Sequence, residues 1–140
     1  MAERPWVLDA SVAVKWFFVD EPLRGWALEV RACIADRPSA FFVPHLFFTE
    51  LVHVLARKSG RDAAFVTSAV ALMVRLGLRT LALSEDGLAR AVAWTCQGLS
   101  GYDATYLALA HEVRGLWLTA DATAASRVGR KRALTLDEWR

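Results

Sequence analysis

Four acidic residues stand at positions from which their carboxylates could act together. Asp9 and Asp121 each follow the end of a short apolar segment, and Glu50 and Asp103 lie in the early turns of predicted helices. If these carboxylates share one pocket, protons or a cation must offset their mutual repulsion. Ligands that are all oxygen atoms suit Mg²⁺ or Mn²⁺, so the spacing predicts a divalent-metal site.

Glu50 carries the strongest indication of such a site. Residues 47–56 read FFTELVHVLA, and Glu50 is the only one of them that is charged at pH 7 when His is neutral. A helix this apolar is expected to be largely buried, and a buried carboxylate needs a partner or a cation. A salt bridge to a buried arginine is the alternative.

The three aspartates also have a simpler interpretation as helix caps. Asp9 or Ser11 can cap the helix after the first predicted strand, and Asp121 can cap the short helix that follows it. Asp103 completes an S-x-x-D capping box with Ser100. The joint placement of all four acids where one pocket should form nevertheless favours a common site.

The elements that must position these acids alternate between short apolar strands and helices. We predict strands over residues 6–8, 40–43, 78–83, 116–119 and 133–135. We predict helices over residues 11–18, 21–36, 46–58, 61–76, 85–96, 100–113 and 122–128. This alternation predicts a three-layer α/β/α domain with a mostly parallel sheet of about five strands. Ligands of such sheets bind beyond the carboxyl ends of the strands, where the acids lie.

Length and composition limit the alternatives. The chain has 140 residues, of which 55% are hydrophobic, so we expect one domain over residues 1–140 rather than a disordered segment. Its 17 basic and 15 acidic residues give a net charge of +2, which by itself indicates no particular partner. The two cysteines form no C-x-x-C motif, and no apolar run is long enough to span a membrane. We therefore expect a cytoplasmic protein without a membrane partner.

Four sequence motifs together resemble a known family. They are V-L-D-A-S at 7–11, T-E-L at 49–51, S-G-Y-D-A-T-Y-L-A-L-A at 100–110 and L-T-A-D at 118–121. In this order and spacing they resemble PIN-domain ribonucleases, and particularly the VapC-type toxins of bacterial toxin–antitoxin pairs. The resemblance extends from Trp6 to about Thr135. It implies a PIN fold and metal-dependent cleavage of RNA phosphodiesters.

The resemblance also implies roles for individual residues. Asp9 and Asp103 would be metal ligands for Mg²⁺, with Mn²⁺ as a possible substitute, and would activate a bound water for attack. Glu50 and Asp121 would complete the catalytic site by direct or water-mediated ligation, or by holding a second metal. Ser11 and Thr119 match hydroxyl residues that support the first and last acids. An RNA substrate, a cognate antitoxin and a homodimer are the implied partners.

A basic stretch begins six residues after Asp121. It places four positive charges within six residues and is a candidate for binding RNA phosphates: Arg127, Arg130, Lys131 and Arg132. A smaller cluster consists of Arg57, Lys58 and Arg61. The alternative for both is a solvated basic loop.

Other functions and interfaces compete for the same residues. The helix predicted over 61–76 is apolar enough to be buried or to form the homodimer that the resemblance implies, and Trp26 and Trp94 belong to the core or to a partner groove. Glu50 and His53 form a Glu-x-x-His pair of the kind found in di-iron bundles. Such a bundle needs a second Glu-x-x-His pair, which the sequence lacks. The main alternative is a PIN-like domain without catalytic activity that binds RNA or has a regulatory role.

Overall fold

Five short strands form a single sheet in the computed structural model, which describes residues 4–139. Residues 1–3 and 140 of the predicted domain lie outside this range. The strands are β1 (Trp6–Leu8), β2 (Phe41–Val43), β3 (Arg79–Thr80), β4 (Leu116–Thr119) and β5 (Ala133–Thr135). Their spatial order is β3-β2-β1-β4-β5, and every neighbouring pair is parallel. The predicted mostly parallel sheet of five strands is therefore confirmed.

Seven α-helices and two short 3₁₀ turns connect the strands within residues 4–139. The helices are α1 (Ala10–Val14), α2 (Arg24–Asp36), α3 (Leu46–Lys58), α4 (Ala63–Arg75), α5 (Glu85–Cys96), α6 (Gly101–Glu112) and α7 (Ala122–Val128). Helix α6 packs against β1 and β4 and is covered by α5, whereas α3 contacts α1 and α4. The result is the predicted three-layer α/β/α arrangement. In the same part of the chain, no helix combines the length and the apolar character that crossing a membrane would require.

The three central strands explain why the strand sequences are almost continuously apolar. Every residue of β2 and β4 is buried, and so are Val7 and Leu8 of β1. Strands that are covered on both faces by helices have no solvent-facing side on which polar residues could alternate. The order of the sheet reverses between β1 and β4, so the chain leaves these two neighbours in opposite directions. This switch point is where a crevice forms in such sheets.

The first two helices are shorter than the sequence predicts. After α1 the backbone bonds change to the i→i+3 kind, as from the Phe17 N–H to the Val14 carbonyl oxygen (3.2 Å), and the guanidinium of Arg24 donates to the carbonyl oxygens of Lys15 (3.1 Å) and Trp16 (3.1 Å). The sequence pattern predicts that the second helix begins at residue 21 with Pro22 in its first turn, and this is wrong. Leu23 has a left-handed conformation (φ 59°), so the helix begins only at Arg24.

The third strand is also shorter than predicted, with two residues instead of six. Strand β2 offers β3 few backbone hydrogen-bond partners, because Pro44 follows β2 directly and the chain then enters α3. The Leu81 N–H still donates to the Val43 carbonyl oxygen (3.0 Å). Beyond that bond β2 has ended, so the apolar residues 81–83 have no strand to pair with.

Candidate active site

The four acids meet at the carboxyl edge of the sheet, at the switch point. Asp9 follows β1, Asp121 follows β4, Glu50 lies on α3 after β2, and Asp103 lies in the first turn of α6. Besides burial, which is the largest cause in each case, repulsion between these carboxylates raises three of their pKa values. Glu50 and Asp103 act on Asp9, Asp103 acts on Glu50, and Asp121 acts on Asp103. The structure thus brings all four predicted residues into one electrostatically coupled cluster, which we call the acidic site.

Asp9 is the most constrained member of the acidic site. Its Oδ2 accepts a hydrogen bond from the Ser11 backbone N–H (2.9 Å), and its Oδ1 accepts one from the indole Nε1 of Trp117 (3.1 Å). Burial raises the pKa of Asp9 from 3.8 to about 6, against the lowering effect of Ser11 and with a further increase from the neighbouring acids. A fixed carboxylate that costs this much to ionise is suited to binding a cation.

Glu50 is half-buried, and the alternative interpretation, a salt bridge to a buried arginine, is not formed within residues 4–139. Burial, and then Asp103, raise the pKa of Glu50, whereas the nearby Tyr106 hydroxyl lowers it. Within residues 4–139, neither Glu50 Oε1 nor the Tyr106 hydroxyl makes a hydrogen bond of normal geometry, although both atoms are buried. None of the ion pairs in this part of the chain involves Glu50. A buried carboxylate oxygen without a donor is available to a cation.

Asp9 and Asp121 are helix caps as well, and Ser100 supplies its half of the capping box with Asp103, none of which excludes the acidic site. Asp9 caps α1, and Asp121 caps α7 by accepting the Ala124 N–H (3.0 Å). Ser100 caps α6 by accepting the Asp103 N–H (3.0 Å). Burial and then repulsion by Asp121 raise the pKa of Asp103, against the lowering effects of a Ser100 hydrogen bond and of the Arg127 charge. These caps fix the backbone beneath each carboxylate and so help to position the acids.

Ser11 and Thr119 connect the ends of the two strands that carry acids. Their hydroxyl oxygens are 3.4 Å apart. The Ser11 hydroxyl accepts the Ala120 N–H (3.0 Å), and the Thr119 hydroxyl accepts the Asp121 N–H (3.1 Å). These bonds hold the segment after β4 against the segment after β1, which is a geometry consistent with their predicted supporting role.

Sequence reasoning missed two aromatic residues that contact the acids. Tyr106 and Trp117 are buried and stacked, with ring centroids 6.3 Å apart and an interplanar angle of 10°. Trp117 donates to Asp9, and burial together with Asp9 and Glu50 raises the pKa of Tyr106, so its hydroxyl stays protonated. From the sequence both look like core residues. The only available indicator was that Tyr106 lies one helical turn after Asp103.

An open cleft of about 360 Å³ borders the acidic site. Besides Asp9, Glu50 and Asp121, three cationic side chains line it: Lys15, Arg57 and Lys58. The Lys15 ammonium donates to the Pro22 carbonyl oxygen (2.8 Å), and Lys58 pairs with Glu21 (3.5 Å). Glu21 lines the cleft as well, so the lining mixes four acids with three cations, of which Arg57 and Lys15 have no carboxylate partner within residues 4–139 and could face an anionic ligand.

The predicted basic stretch does not form one surface. Arg127 lies close enough to Asp103 to lower its pKa, and Arg130 pairs with Glu138 (3.7 Å). Lys131 and Arg132 instead line a different cleft. The chain turns at Gly129, whose φ of 86° lies in the region that favours glycine. This turn directs the four basic side chains to different places, so only Arg127 acts on the acidic site.

The donor chemistry of the acidic site fits a hard divalent cation. All its donors are oxygen atoms, Glu50 Oε1 has no hydrogen-bond donor among residues 4–139, and three of the carboxyls have raised pKa values. In the same part of the chain, no three His, Cys, Asp or Glu side chains are grouped closely enough to hold a metal by themselves. Mg²⁺ commonly uses only one or two carboxylates and completes its shell with water, so this spacing suits Mg²⁺ better than a metal that needs a closed cage.

We expect the stability of the metal-free protein to fall as the pH rises from about 4 to 6. Asp9 has a pKa of about 6 when folded and 3.8 as its reference value, so in this interval the folded state binds more protons than the unfolded state. The loss from Asp9 is about 3 kcal/mol and is complete by about pH 7. Urea unfolding in EDTA at several pH values, compared between wild type and Asp9→Asn, measures it. Parallel stability curves for the two proteins would contradict the buried, protonated state of Asp9.

Comparison with known proteins places the fold. The family model for the PIN domain matches residues 6–131. No curated protein matches the chain significantly. Among solved structures, VapC20 of Mycobacterium tuberculosis, described as a sarcin-ricin loop cleaving toxin, is similar with a TM-score of 0.71 and 19% identity. That match covers 89% of this chain and 95% of VapC20.

Two toxin–antitoxin complexes contain similar chains. A complex from Klebsiella pneumoniae matches with a TM-score of 0.64 and 19% identity over 95% of this chain and 98% of the other. VapBC2 of Rickettsia felis, bound to a DNA fragment of its promoter, matches with a TM-score of 0.65 and 11% identity over 96% and 98%. The structures share the fold, and the family model covers most of the sequence. The chain belongs to the PIN domain family.

Proposed function

We propose that this protein is a Mg²⁺-dependent endoribonuclease of the VapC toxin type, with Mn²⁺ as a possible substitute. The observation that carries the proposal is the acidic site itself: four coupled carboxylates at the switch point of a PIN domain, three of them with raised pKa values. Such a cluster costs folding stability unless a cation binds there. A cation bound among these carboxylates would be available for chemistry on a phosphodiester.

The residues of the acidic site have different roles in the proposed reaction. Asp9 and Asp103 would hold the divalent ion, which when bound would lower the pKa of a water and orient it toward a phosphodiester. Trp117 and the Ser11 N–H hold the Asp9 carboxylate in place. Glu50 and Asp121 would complete the site, directly, through water, or by holding a second ion.

The cationic side chains of the cleft support an RNA phosphate as the ligand. Lys15 and Arg57 line the cleft beside the acids and would attract a phosphate that the carboxylates alone would repel, whereas Lys58 is paired with Glu21. Arg127 acts similarly on the side of Asp103. Attraction to these cations offsets the repulsion between the phosphate and the carboxylates. Specificity for a particular RNA must come from contacts beyond the cleft.

A cognate antitoxin and a homodimer are the proposed protein partners, with the cytoplasm as the proposed location. The antitoxin is supported by the likeness to chains that occur in toxin–antitoxin complexes. A homodimer is an expectation of the resemblance to VapC-type toxins, and the structure offers it only two separate apolar side chains of α4, Leu72 (59% exposed) and Val74 (64% exposed), which flank the buried face of the helix on opposite sides.

The direct test is cleavage of a structured RNA by the purified protein in Mg²⁺, Mn²⁺ or EDTA. We expect cleavage with either ion, none in EDTA, and none by Asp103→Asn with either ion. The same ions at millimolar concentration should raise the Tm of the wild type, because they bind only the folded acidic site.

The rival function gives different results. A silent RNA-binding or regulatory domain would bind the RNA without cutting it under any condition, and Asp9→Asn would leave its effect on cell growth unchanged. Cleavage that persists in EDTA and in both Asp9→Asn and Asp103→Asn would disprove the metal mechanism. An unchanged Tm in Mg²⁺ and Mn²⁺ would count against a cation at the acidic site.

A further inference from the structure

A second, strongly basic cleft lies at the edge of the sheet opposite the acidic site. Its lining includes residues just before β1, β4 and β5, which places it at the amino ends of these strands. It has a volume of about 430 Å³. Five cationic side chains line it: Arg4, Arg90, Arg114, Lys131 and Arg132. No acidic residue of the described chain contributes to this lining, and we call it the basic cleft.

The cations of the basic cleft are not neutralised within residues 4–139. Arg4, Arg90, Arg114 and Lys131 make no ion pair with a carboxylate in this range. Arg114 has a left-handed backbone (φ 57°) directly after α6, a position that favours glycine or asparagine. Mutual repulsion between these cations disfavours the arrangement in the absence of an anion. A polyanion would relieve the repulsion.

Trp94 lies between the basic cleft and a second cleft. Its half-buried side chain lines the basic cleft and also a neighbouring cleft of about 350 Å³, and the Arg132 guanidinium lies 5.3 Å from its ring centroid. The neighbouring cleft is bounded at its far end by Arg127, which donates to the Gly98 carbonyl oxygen (3.1 Å). Arg127 also acts electrostatically on Asp103. The two clefts therefore adjoin at Trp94, and the second reaches Arg127, the residue that acts on Asp103.

We propose that the two clefts form the path along which a single-stranded segment of RNA reaches the acidic site. Its phosphates lie against the cations of the basic cleft, and a base stacks on Trp94. The proposal rests on the proposed ribonuclease function and specifies how its substrate is held. A single strand is favoured over an acidic peptide because the path combines cations with an aromatic ring, and stacking on such rings is a property of nucleic-acid bases.

The first test measures binding of a labelled single-stranded RNA in EDTA, so that cleavage plays no part. We expect Arg90→Gln combined with Lys131→Gln to lower the affinity about tenfold and to reduce the slope of log K against log salt by about 1.4, or about 0.7 for each lost phosphate contact. The control is Arg31→Gln combined with Arg75→Gln. These two arginines are exposed on helices away from the path, and replacing them removes the same amount of positive charge. Equal losses in both double variants would overturn the proposal, because they would reflect net charge alone.

The second test separates RNA from other polyanions. Trp94→Leu, with its folding checked by circular dichroism and Tm, should weaken binding of RNA but not of inorganic polyphosphate, because only RNA carries bases to stack. Polyglutamate that competes as strongly as RNA for the basic cleft would indicate an acidic protein partner and would overturn the proposal. Unchanged RNA binding by the Arg90/Lys131 variant would also overturn it.

Cleavage assays then distinguish failure of this path from failure of the proposed function. The Arg90/Lys131 variant should cut a short oligonucleotide that spans only the acidic site as the wild type does, but should show a raised KM for a long RNA. If the wild type cuts neither substrate with Mg²⁺ or Mn²⁺, the proposed ribonuclease function fails. If the variant cuts both substrates with wild-type parameters, the path fails while the function stands.

Discussion

Asp9→Asn is expected to reduce RNA cleavage on the order of 10³-fold while leaving the protein folded and able to bind RNA. Asp9 is the acid whose position the protein fixes most tightly, through hydrogen bonds to both of its oxygens. Asparagine has nearly the same shape but carries no charge, so the substitution removes the attraction for a divalent ion without opening a cavity. RNA affinity measured in EDTA should be unchanged or slightly higher, because one negative charge is lost.

The stability of Asp9→Asn decides whether a loss of activity reflects the missing carboxylate or a loss of folded protein. Asparagine can accept only one of the two hydrogen bonds, so either the Ser11 N–H or the Trp117 indole loses its acceptor, at a cost of about 1–3 kcal/mol. Removing a buried carboxylate with a pKa of about 6 returns about 3 kcal/mol at neutral pH. The two effects nearly cancel. We therefore expect the Tm in EDTA at pH 7 to change by only a few degrees.

Asp62→Asn is the matched control. Asp62 caps α4 by accepting the Phe65 N–H (3.0 Å), as Asp9 caps α1, but it is exposed and lies outside the acidic site. It should keep wild-type cleavage with Mg²⁺ and Mn²⁺. A variant Asp9→Asn that retains more than about a tenth of the wild-type kcat/KM would remove Asp9 from the proposed metal ligands.

Gly115→Ala is expected to destabilise the fold by about 2–4 kcal/mol. A Cβ at this position would lie 2.2 Å from the Pro5 carbonyl oxygen and 2.7 Å from its carbon, and these are backbone atoms that cannot rotate away. The same Pro5 oxygen accepts the Leu116 N–H (3.0 Å), and this hydrogen bond joins the segment that enters β1 to the start of β4. Adding the methyl group must push these central strands apart or break that bond.

Urea unfolding at constant pH measures this effect as a lower midpoint with little change in slope. Gly25→Ala is the control, because no atom lies within 4 Å of the place that its Cβ would occupy, and its position inside α2 favours alanine by up to about 1 kcal/mol. It should unfold at an equal or higher urea concentration. A Gly115→Ala midpoint within error of the wild type would show that Pro5 can move away at no cost.

The position of the acidic site could be predicted from sequence because it depends on topology more than on packing. Residues that follow parallel strands must emerge at the same edge of the sheet, so Asp9 and Asp121 meet whenever β1 and β4 are neighbours. Glu50 stands out because its helix is otherwise apolar. Strand and helix types are predictable for a related reason, since each depends on a local hydrophobic pattern.

The features that the sequence does not reveal depend on contacts between distant residues. The hydrogen bond from Trp117 to Asp9 joins residues 108 positions apart, and a tryptophan in an apolar strand otherwise looks like an ordinary core residue. The apolar run overestimates the length of β3, because that strand is limited by the end of β2. The basic stretch looks like one surface in the sequence, because a linear pattern does not show how the turn at Gly129 distributes its side chains.

The stacked pair of Tyr106 and Trp117 has a mechanical consequence. Helix α6 carries Asp103 in its first turn and Tyr106 one turn later, whereas Trp117 belongs to β4 and holds Asp9. Any tilt of α6 that changes the separation of the Asp9 and Asp103 carboxylates must therefore also change the overlap of the two rings. Close ring packing resists such sliding, so the stack acts as a spacer that sets the opening of the acidic site.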